Sequence, residues 1–301
     1  MFIDHYTISK RFWDGTNKSE VILSFDEDGK KEAINRAIGD LMERTLKRKT
    51  ASQGDRDEEI RNVLLPKINE WFKKPEIKIT EGEFDKWHNE ACNAVLKVLQ
   101  KFYTYNDNQK TPVQYGKAQK IVNMTMKGIY CLKGADAYEK HFEFCHMALD
   151  SFTLEWFRRY IATQWFNADH KKRVIKIKIS EDNGPFPRWS NLNFKEGSLL
   201  LTYENYEENP NLRTHKDKYH YMFFVQTIRE YINYINKDQT SRLTPLQAEF
   251  FIWEEMQIHI AMEKLYSLGG KEKDFKNKSI CEKIPALQAF LDELKNSFSF
   301  N

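Results

Sequence analysis

The sequence predicts a mainly α-helical protein with one minor β element, and three observations predict it. Gly and Pro together number 20 (12 + 8) of 301 residues, about 7% against roughly 12% in average usage, which favours long helices over tight turns. Three threonine-led capping boxes, Thr80…Glu83, Thr111…Gln114 and Thr244…Gln247, each stand before an apolar periodic run. Only one segment alternates like a strand, Val174-Ile175-Lys176-Ile177-Lys178-Ile179, with isoleucines on one face and lysines on the other.

Taken in order, Val21-Ile22-Leu23-Ser24-Phe25 has the composition of a short strand or arm. Helical periodicity begins after Asp28 and runs to about Arg48, and Lys49–Asp55 is polar enough for a surface loop. A second helix is expected over 56–73, with Ile60, Val63, Leu64, Ile68 and Trp71 on one side. Behind Thr80, the residues Phe84, Trp87, His88, Ala91, Cys92, Val95, Leu99, Phe102 and Tyr103 keep helical spacing. The Thr111 box places Pro112 at a first helical position, where its missing N–H does no harm, and introduces a helix over 117–132. Further helices are expected over 151–166, 219–235, 248–265 and 284–297. The loop-like stretch 181–197, from Asn183-Gly184-Pro185 to Gly197, divides a core of 1–180 with an N-terminal arm from a helical C-terminal lobe of 198–301.

Composition narrows the class. The chain is 41% hydrophobic and 30% charged, enough for a core and a solvated surface, and its 42 aromatics (7 Trp, 14 Tyr, 21 Phe) must be largely core. A net charge of +3 is too small for a polycation, so nucleic-acid binding would need a local basic face. Such a face is available if Lys171-Lys172-Arg173, Lys176, Lys178, Arg213, Lys216 and Lys218 gather on one side; scattered among Glu181, Asp182, Glu207 and Glu208 they are ordinary solubilising charge. Cys92, Cys131, Cys145 and Cys281 form no C-x-x-C pair, a reduced pattern without a disulfide framework or zinc site. No signal-like N-terminus or long apolar run occurs, so a cytoplasmic protein without a membrane partner is expected. No Walker loop, dinucleotide fingerprint, H-E-x-x-H or serine nucleophile elbow is present, and neither a cofactor nor a metal is expected.

The chemistry-bearing residues lie on the 117–132 helix and just beyond it. Ile121, Thr125, Ile129 and Leu132 make one stripe with Val122 and Met126 beside it, and Lys120 and Lys127, seven apart, point nearly the same way. Two readings stand for Lys117, Lys120 and Lys127: a solvated face, or an amine set in an apolar cleft where desolvation makes it a nucleophile. Asp150, thirty positions after Lys120 (150 − 120), begins a helix. It is either a plain N-cap or a carboxylate at a cleft edge that relays a proton and supports positive charge on a sugar.

The run Gly116-Lys117-Ala118-Gln119-Lys120-Ile121-Val122-Asn123-Met124-Thr125-Met126-Lys127, followed by Met147-Ala148-Leu149-Asp150-Ser151-Phe152-Thr153, resembles the central part of helix-hairpin-helix DNA glycosylases. Over residues 112–160 it is most similar to the 8-oxoguanine glycosylase branch. The resemblance implies a helix-hairpin-helix glycosylase-like core. A lysine early in one helix would attack the sugar carbon, activated by an aspartate at the start of the next. Lys120 matches the nucleophile and Asp150 the aspartate; Lys117 is the alternative nucleophile, one small register shift away. The family's glycine pair is reduced here to Gly116, which with Lys117 and Lys127 would contact the DNA backbone.

The resemblance further implies DNA as partner, a duplex with its target base extruded. Phe142, Phe144 and His146 would line the base pocket, or else be core, and Gln119 and Asn123 would read the base edge, or else be exposed. The expected activity is excision of a damaged or modified base, with strand-nicking lyase activity through a Schiff base. The competing expectation is a non-catalytic helical module that binds nucleic acid or protein on a glycosylase-like scaffold.

Overall fold

The computed structural model describes residues 23–41, 45–49, 54–75, 78–107, 110–166, 188–194, 220–237 and 242–267, with isolated positions near either end. Among them the chain is mainly helical. Eight α-helices run α1 (Glu27–Gly39), α2 (Arg56–Trp71), α3 (Glu81–Phe102), α4 (Tyr115–Tyr130), α5 (Glu139–Phe142), α6 (Ser151–Trp156), α7 (Tyr221–Ile235) and α8 (Pro245–Ser267). Two three-residue strands, β1 (Leu46–Arg48) and β2 (Tyr103–Tyr105), pair antiparallel with Leu46 opposite Tyr105 and Arg48 opposite Tyr103. No described helix is long and apolar enough to cross a membrane.

Helix α4 is the centre of the fold. Of its sixteen residues only Met124 is more than slightly exposed, so the helix is enclosed on every side by α1, α3 and the 188–194 segment. Two glycines permit this. At Gly128 an added Cβ would lie 3.0 Å from Ala33 Cβ of α1. At Gly116 it would lie 1.9 Å from the Trp189 carbonyl oxygen, so only glycine lets the 188–194 segment cross there. One continuous core joins α4 (Ile121, Val122, Ile129) to Tyr221 and Phe224 of α7 and to Leu246 and Met256 of α8, so the described helices on both sides of 181–197 share it.

The capping boxes at Thr80 and Thr244 form. Thr80 accepts from Glu83 N at 3.3 Å and its own N–H donates to Glu83 at 2.8 Å; Thr244 and Gln247 do the same at 3.2 and 2.9 Å. The third does not. Thr111 and Pro112 instead extend the small sheet, with Tyr105 N donating to Thr111 O at 2.8 Å and Pro112 bridging Thr104. Helix α4 starts later, behind Gln114, which makes no side-chain cap.

The first helix is also shorter than its expected extent to about Arg48. Its buried positions Ala33, Ile34, Ala37 and Ile38 end with Leu41, helix-poor Gly39 and Asp40 close it, and Leu46–Arg48 pairs as β1. The expected helix over 151–166 changes register at Phe157, continuing to Phe166 as a wider π-helix. The strand expected at 174–179, the basic groups at 171–178 and 213–218, and most of the helix expected over 284–297 lie outside the described residues. Around Val21–Phe25, Ser24 forms a single parallel bridge to Lys133.

Candidate functional site

The lysine-bearing face of α4 is not solvated. Lys117 is wholly buried, and Lys120 and Lys127 are 9% and 6% exposed, which corrects the reading of these residues as a surface face. Lys120 Nζ lies 3.7 Å from Asp150 Oδ2, so the two residues separated by thirty positions do meet. The indole of Trp189 covers both candidate amines, its ring centroid 4.6 Å from Lys117 Nζ and 5.2 Å from Lys120 Nζ.

Asp150 divides its work between its two oxygens. Oδ1 accepts from Phe152 N at 2.9 Å and Thr153 N at 3.1 Å, capping α6, while Oδ2 faces Lys120. The Thr153 hydroxyl accepts from Asp150 N at 2.7 Å and donates to Ala148 O at 2.8 Å, so the carboxylate's own backbone is tied down as well. Asp150 is therefore both the plain N-cap and the lysine's partner.

The loop leading to Asp150 is held by side chains from distant elements. Ala148 N donates to Glu249 Oε2 of α8 at 2.8 Å. Leu149 N donates to Gln119 Oε1 at 3.2 Å, and Gln119 Nε2 donates back to Leu149 O at 2.8 Å and to Gly116 O at 3.0 Å. Asn123 Nδ2 reaches Gln119 Oε1 at 2.9 Å, Tyr221 OH at 2.9 Å and Met147 O at 3.3 Å. Both amides are fully buried and committed to this lattice. That corrects the expectation that Gln119 and Asn123 are exposed groups, and it leaves neither amide directed at a base edge.

His146 anchors the same loop. Its Nε2 lies 2.7 Å from Asp85 Oδ1 and its Nδ1 2.9 Å from the Tyr221 hydroxyl. An ionised carboxylate only accepts, so the imidazole donates from Nε2, accepts the Tyr221 proton at Nδ1, and stays neutral. Burial and the nearby Arg229 push its pKa down, to about 4, against the opposing pull of Asp85. His88 donates from Nε2 to Asn123 Oδ1 at 2.8 Å, and burial pushes its pKa well down too. Burial works against ionising Asp85, but His146 and a bidentate Arg229 at 2.7 and 2.9 Å hold its carboxyl below the usual carboxylate range.

The remaining expected site residues fall elsewhere. Phe142 is core, packed edge-on to Tyr130 and tilted against Phe72. Phe144 is half-buried, and its carbonyl accepts from Arg229 at 3.0 Å. His146 is a buried, hydrogen-bonded histidine. The backbone contacts expected of Gly116 and Lys127 are already engaged: Gly116 N donates to Leu192 O at 2.9 Å, and Lys127 pairs with Glu249 at 3.0 Å.

Sequence reasoning missed Trp189, Glu249, Asp85, Arg229 and Tyr221. An aromatic in the Gly- and Pro-containing 181–197 stretch was the one available signal for Trp189. The others are joined to the loop or the residues just before it across 61 to 101 residues of chain, a separation no local pattern spans. No protein-family model, curated protein or solved structure matches the chain, so its functional reading rests on this site.

Proposed function

We propose that the protein is a DNA glycosylase with lyase activity, in which Lys120 is the nucleophile and Asp150 its proton acceptor. The observation that carries this reading is the approach of Lys120 Nζ to Asp150 Oδ2, 3.7 Å, with the carboxylate held in place by the buried loop lattice. Preorganisation of this kind places a base where the nucleophile's proton must go, before any substrate arrives.

In the proposed reaction Asp150 takes a proton from the lysine ammonium. The freed lone pair attacks the anomeric carbon, the carbon–nitrogen bond to the base breaks, and its electron pair leaves with the base, which takes up a proton. Opening of the sugar ring gives the imine between Lys120 and the former anomeric carbon, and elimination from that imine cleaves the strand on the 3′ side. Asp150 supports the positive charge as it develops. Trp189 must move off the amine for the sugar to reach it.

A second reading has its own support. Lys117 is wholly buried and Gly116 and Lys127 are engaged within the protein, as in a helical binding module whose lysines are structural. Borohydride trapping on duplexes carrying a panel of damaged and modified bases separates the two. The glycosylase reading expects a covalent adduct, lost in Lys120→Gln and kept in Lys117→Gln. Adducts lost with Lys117→Gln alone would move the nucleophile one turn, and no adduct or excision on any lesion would leave the binding module.

A further inference from the structure

We propose that the cavity at the N-terminal end of α4 is a binding site for an unpaired nucleobase, two or three positions along the strand from the nucleotide that reacts at Lys120. The choice of DNA as the ligand's source rests on the function proposed above. The cavity holds about 540 Å³ and is walled by Tyr105 and Asn106 at the end of β2, Gln114 before α4, and Arg188, Asn191 and Asn193 of the crossing segment. That volume is within the range of small-ligand sites.

The walls are fixed. Asn106 N donates to Thr45 O at 2.9 Å, the Tyr105 hydroxyl donates to Ser190 O, and Tyr221 N donates to Asn193 O at 3.0 Å. The lining is rich in amides and nearly neutral. Arg188 is the one cation among the described lining residues, and the one carboxylate, Asp107, already accepts from Thr111 N at 2.9 Å. A phosphate would call for more positive charge, and an apolar ligand would desolvate the exposed amides without offering them partners. A planar, uncharged group with donors and acceptors on one edge satisfies them, as asparagine and glutamine amides do with adenine.

The cavity and the lysine site share a wall. The 188–193 segment presents Trp189 to Lys117 and Lys120, and Arg188, Asn191 and Asn193 to the cavity. Gln114 precedes Lys120 by six residues, about 9 Å of helix axis at 1.5 Å per residue. With stacked bases about 3.4 Å apart along a strand, that distance corresponds to two or three nucleotides, so a base two or three positions away can reach the cavity while the reacting nucleotide lies at Lys120.

The test is fluorescence anisotropy with a labelled single strand carrying a tetrahydrofuran abasic analogue. One version has adenine at the three positions on either side of the analogue; the other replaces those adenines with further abasic analogues. The full chain is expected to bind the adenine-flanked strand about tenfold more tightly, the worth of one good amide–base pairing. The double variant Asn191→Ala/Asn193→Ala is expected to bind both strands alike, with unchanged circular dichroism, because both side chains are exposed and the Asn193 carbonyl contact to Tyr221 is kept. No preference in the full chain, or a preference that survives in the double variant, overturns the proposal. Binding needs no chemistry, so an adenine preference in the unaltered chain, with no adduct trapped by that chain on any lesion, keeps this site and removes the glycosylase reading; trapping without an adenine preference does the reverse.

Discussion

Helix α4 carries two buried lysine–carboxylate pairs two turns apart, and they are built differently. Lys127 and Glu249 meet at 3.0 Å with side-chain exposures of 7% and 1%. Both Glu249 oxygens are spoken for, one by Lys127 and one by Ala148 N, and the Phe250 ring lies 4.5 Å from the ammonium. Lys120 and Asp150 stand farther apart, at 3.7 Å, with 11% and 9% exposure. There one carboxylate oxygen caps a helix while the other faces the amine, and the cover is the Trp189 indole. The first pair is a closed strut; the second is more widely spaced and slightly more exposed. The strut also serves the second pair, since Glu249 holds the loop that ends in Asp150.

The largest effect on folding should come from breaking the strut. Glu249→Ala strands a buried ammonium and frees Ala148 N, at a cost of about 3–5 kcal/mol, read as a lower urea midpoint. Burial pushes the Glu249 carboxyl up against the pull of Lys127, so the neutral Glu249→Gln, which still accepts from Ala148 N, should cost clearly less. Equal losses in the two variants would show that the charge matters more than the loop contact.

Acid should attack the lattice around the loop through its histidines while Asp85 stays ionised. His146 and His88 stay neutral when folded because burial lowers their pKa values, to about 4 for His146. The unfolded chain binds protons at these positions below about pH 6.5, while the folded one does not. Stability is therefore complete above about 6.5 and falls as pH drops toward 4, by roughly 1.4 kcal/mol per pH unit for each histidine. Urea midpoints between pH 7 and 4.5 check this, and His146→Gln should flatten the slope; a flat profile in the unaltered protein would mean the histidines are charged when folded.

A smaller loss is expected at the crossing point. Gly116→Ala puts a methyl 1.9 Å from the Trp189 carbonyl, which must shift at about 1–3 kcal/mol, whereas the methyl of Gly128→Ala meets Ala33 Cβ at 3.0 Å and Ala33 Cα and Phe12 Cε1 at 3.4 Å, a smaller overlap. If thermal melts place Gly128→Ala lower, the 188–194 segment is not held against α4 as described. The smallest stability effect should come from Asp150→Asn, because asparagine caps a helix about as well as aspartate. Trp189→Ala should speed labelling of Lys117 and Lys120 by an amine reagent, followed by mass spectrometry, and unchanged rates would place their cover elsewhere.

What was legible in the sequence was local. Spacing found α3 and α4, the capping boxes at Thr80 and Thr244 formed, and Asp150 was placed correctly at a helix start because N-cap chemistry acts over three residues. The pairing of Lys120 with Asp150 was expected from the resemblance to glycosylases and not from spacing. Thr111-Pro112 looked like a helix start, and Leu46–Arg48 like a helix end, because each obeys local rules that strand pairing overrides. The burial of Lys117, and the engagement of Gln119 and Asn123, depend on Trp189, Tyr221 and the 147–149 backbone, which reach α4 from far along the chain. No pattern within a helix announces which of its polar faces another segment will cover.

The difference between the two lysine pairs is tested most directly by borohydride trapping with three proteins: unaltered, Lys120→Gln and Lys127→Met. With Lys127 locked in the strut and Lys120 in the looser pair, an adduct is predicted in the unaltered protein that maps to Lys120 by peptide mass spectrometry. It should vanish in Lys120→Gln, which keeps its melting temperature close to that of the unaltered protein, while Lys127→Met, where folded, still traps. An adduct that maps to Lys127, or a Lys120→Gln protein that unfolds as readily as Glu249→Ala, would contradict that assignment of roles.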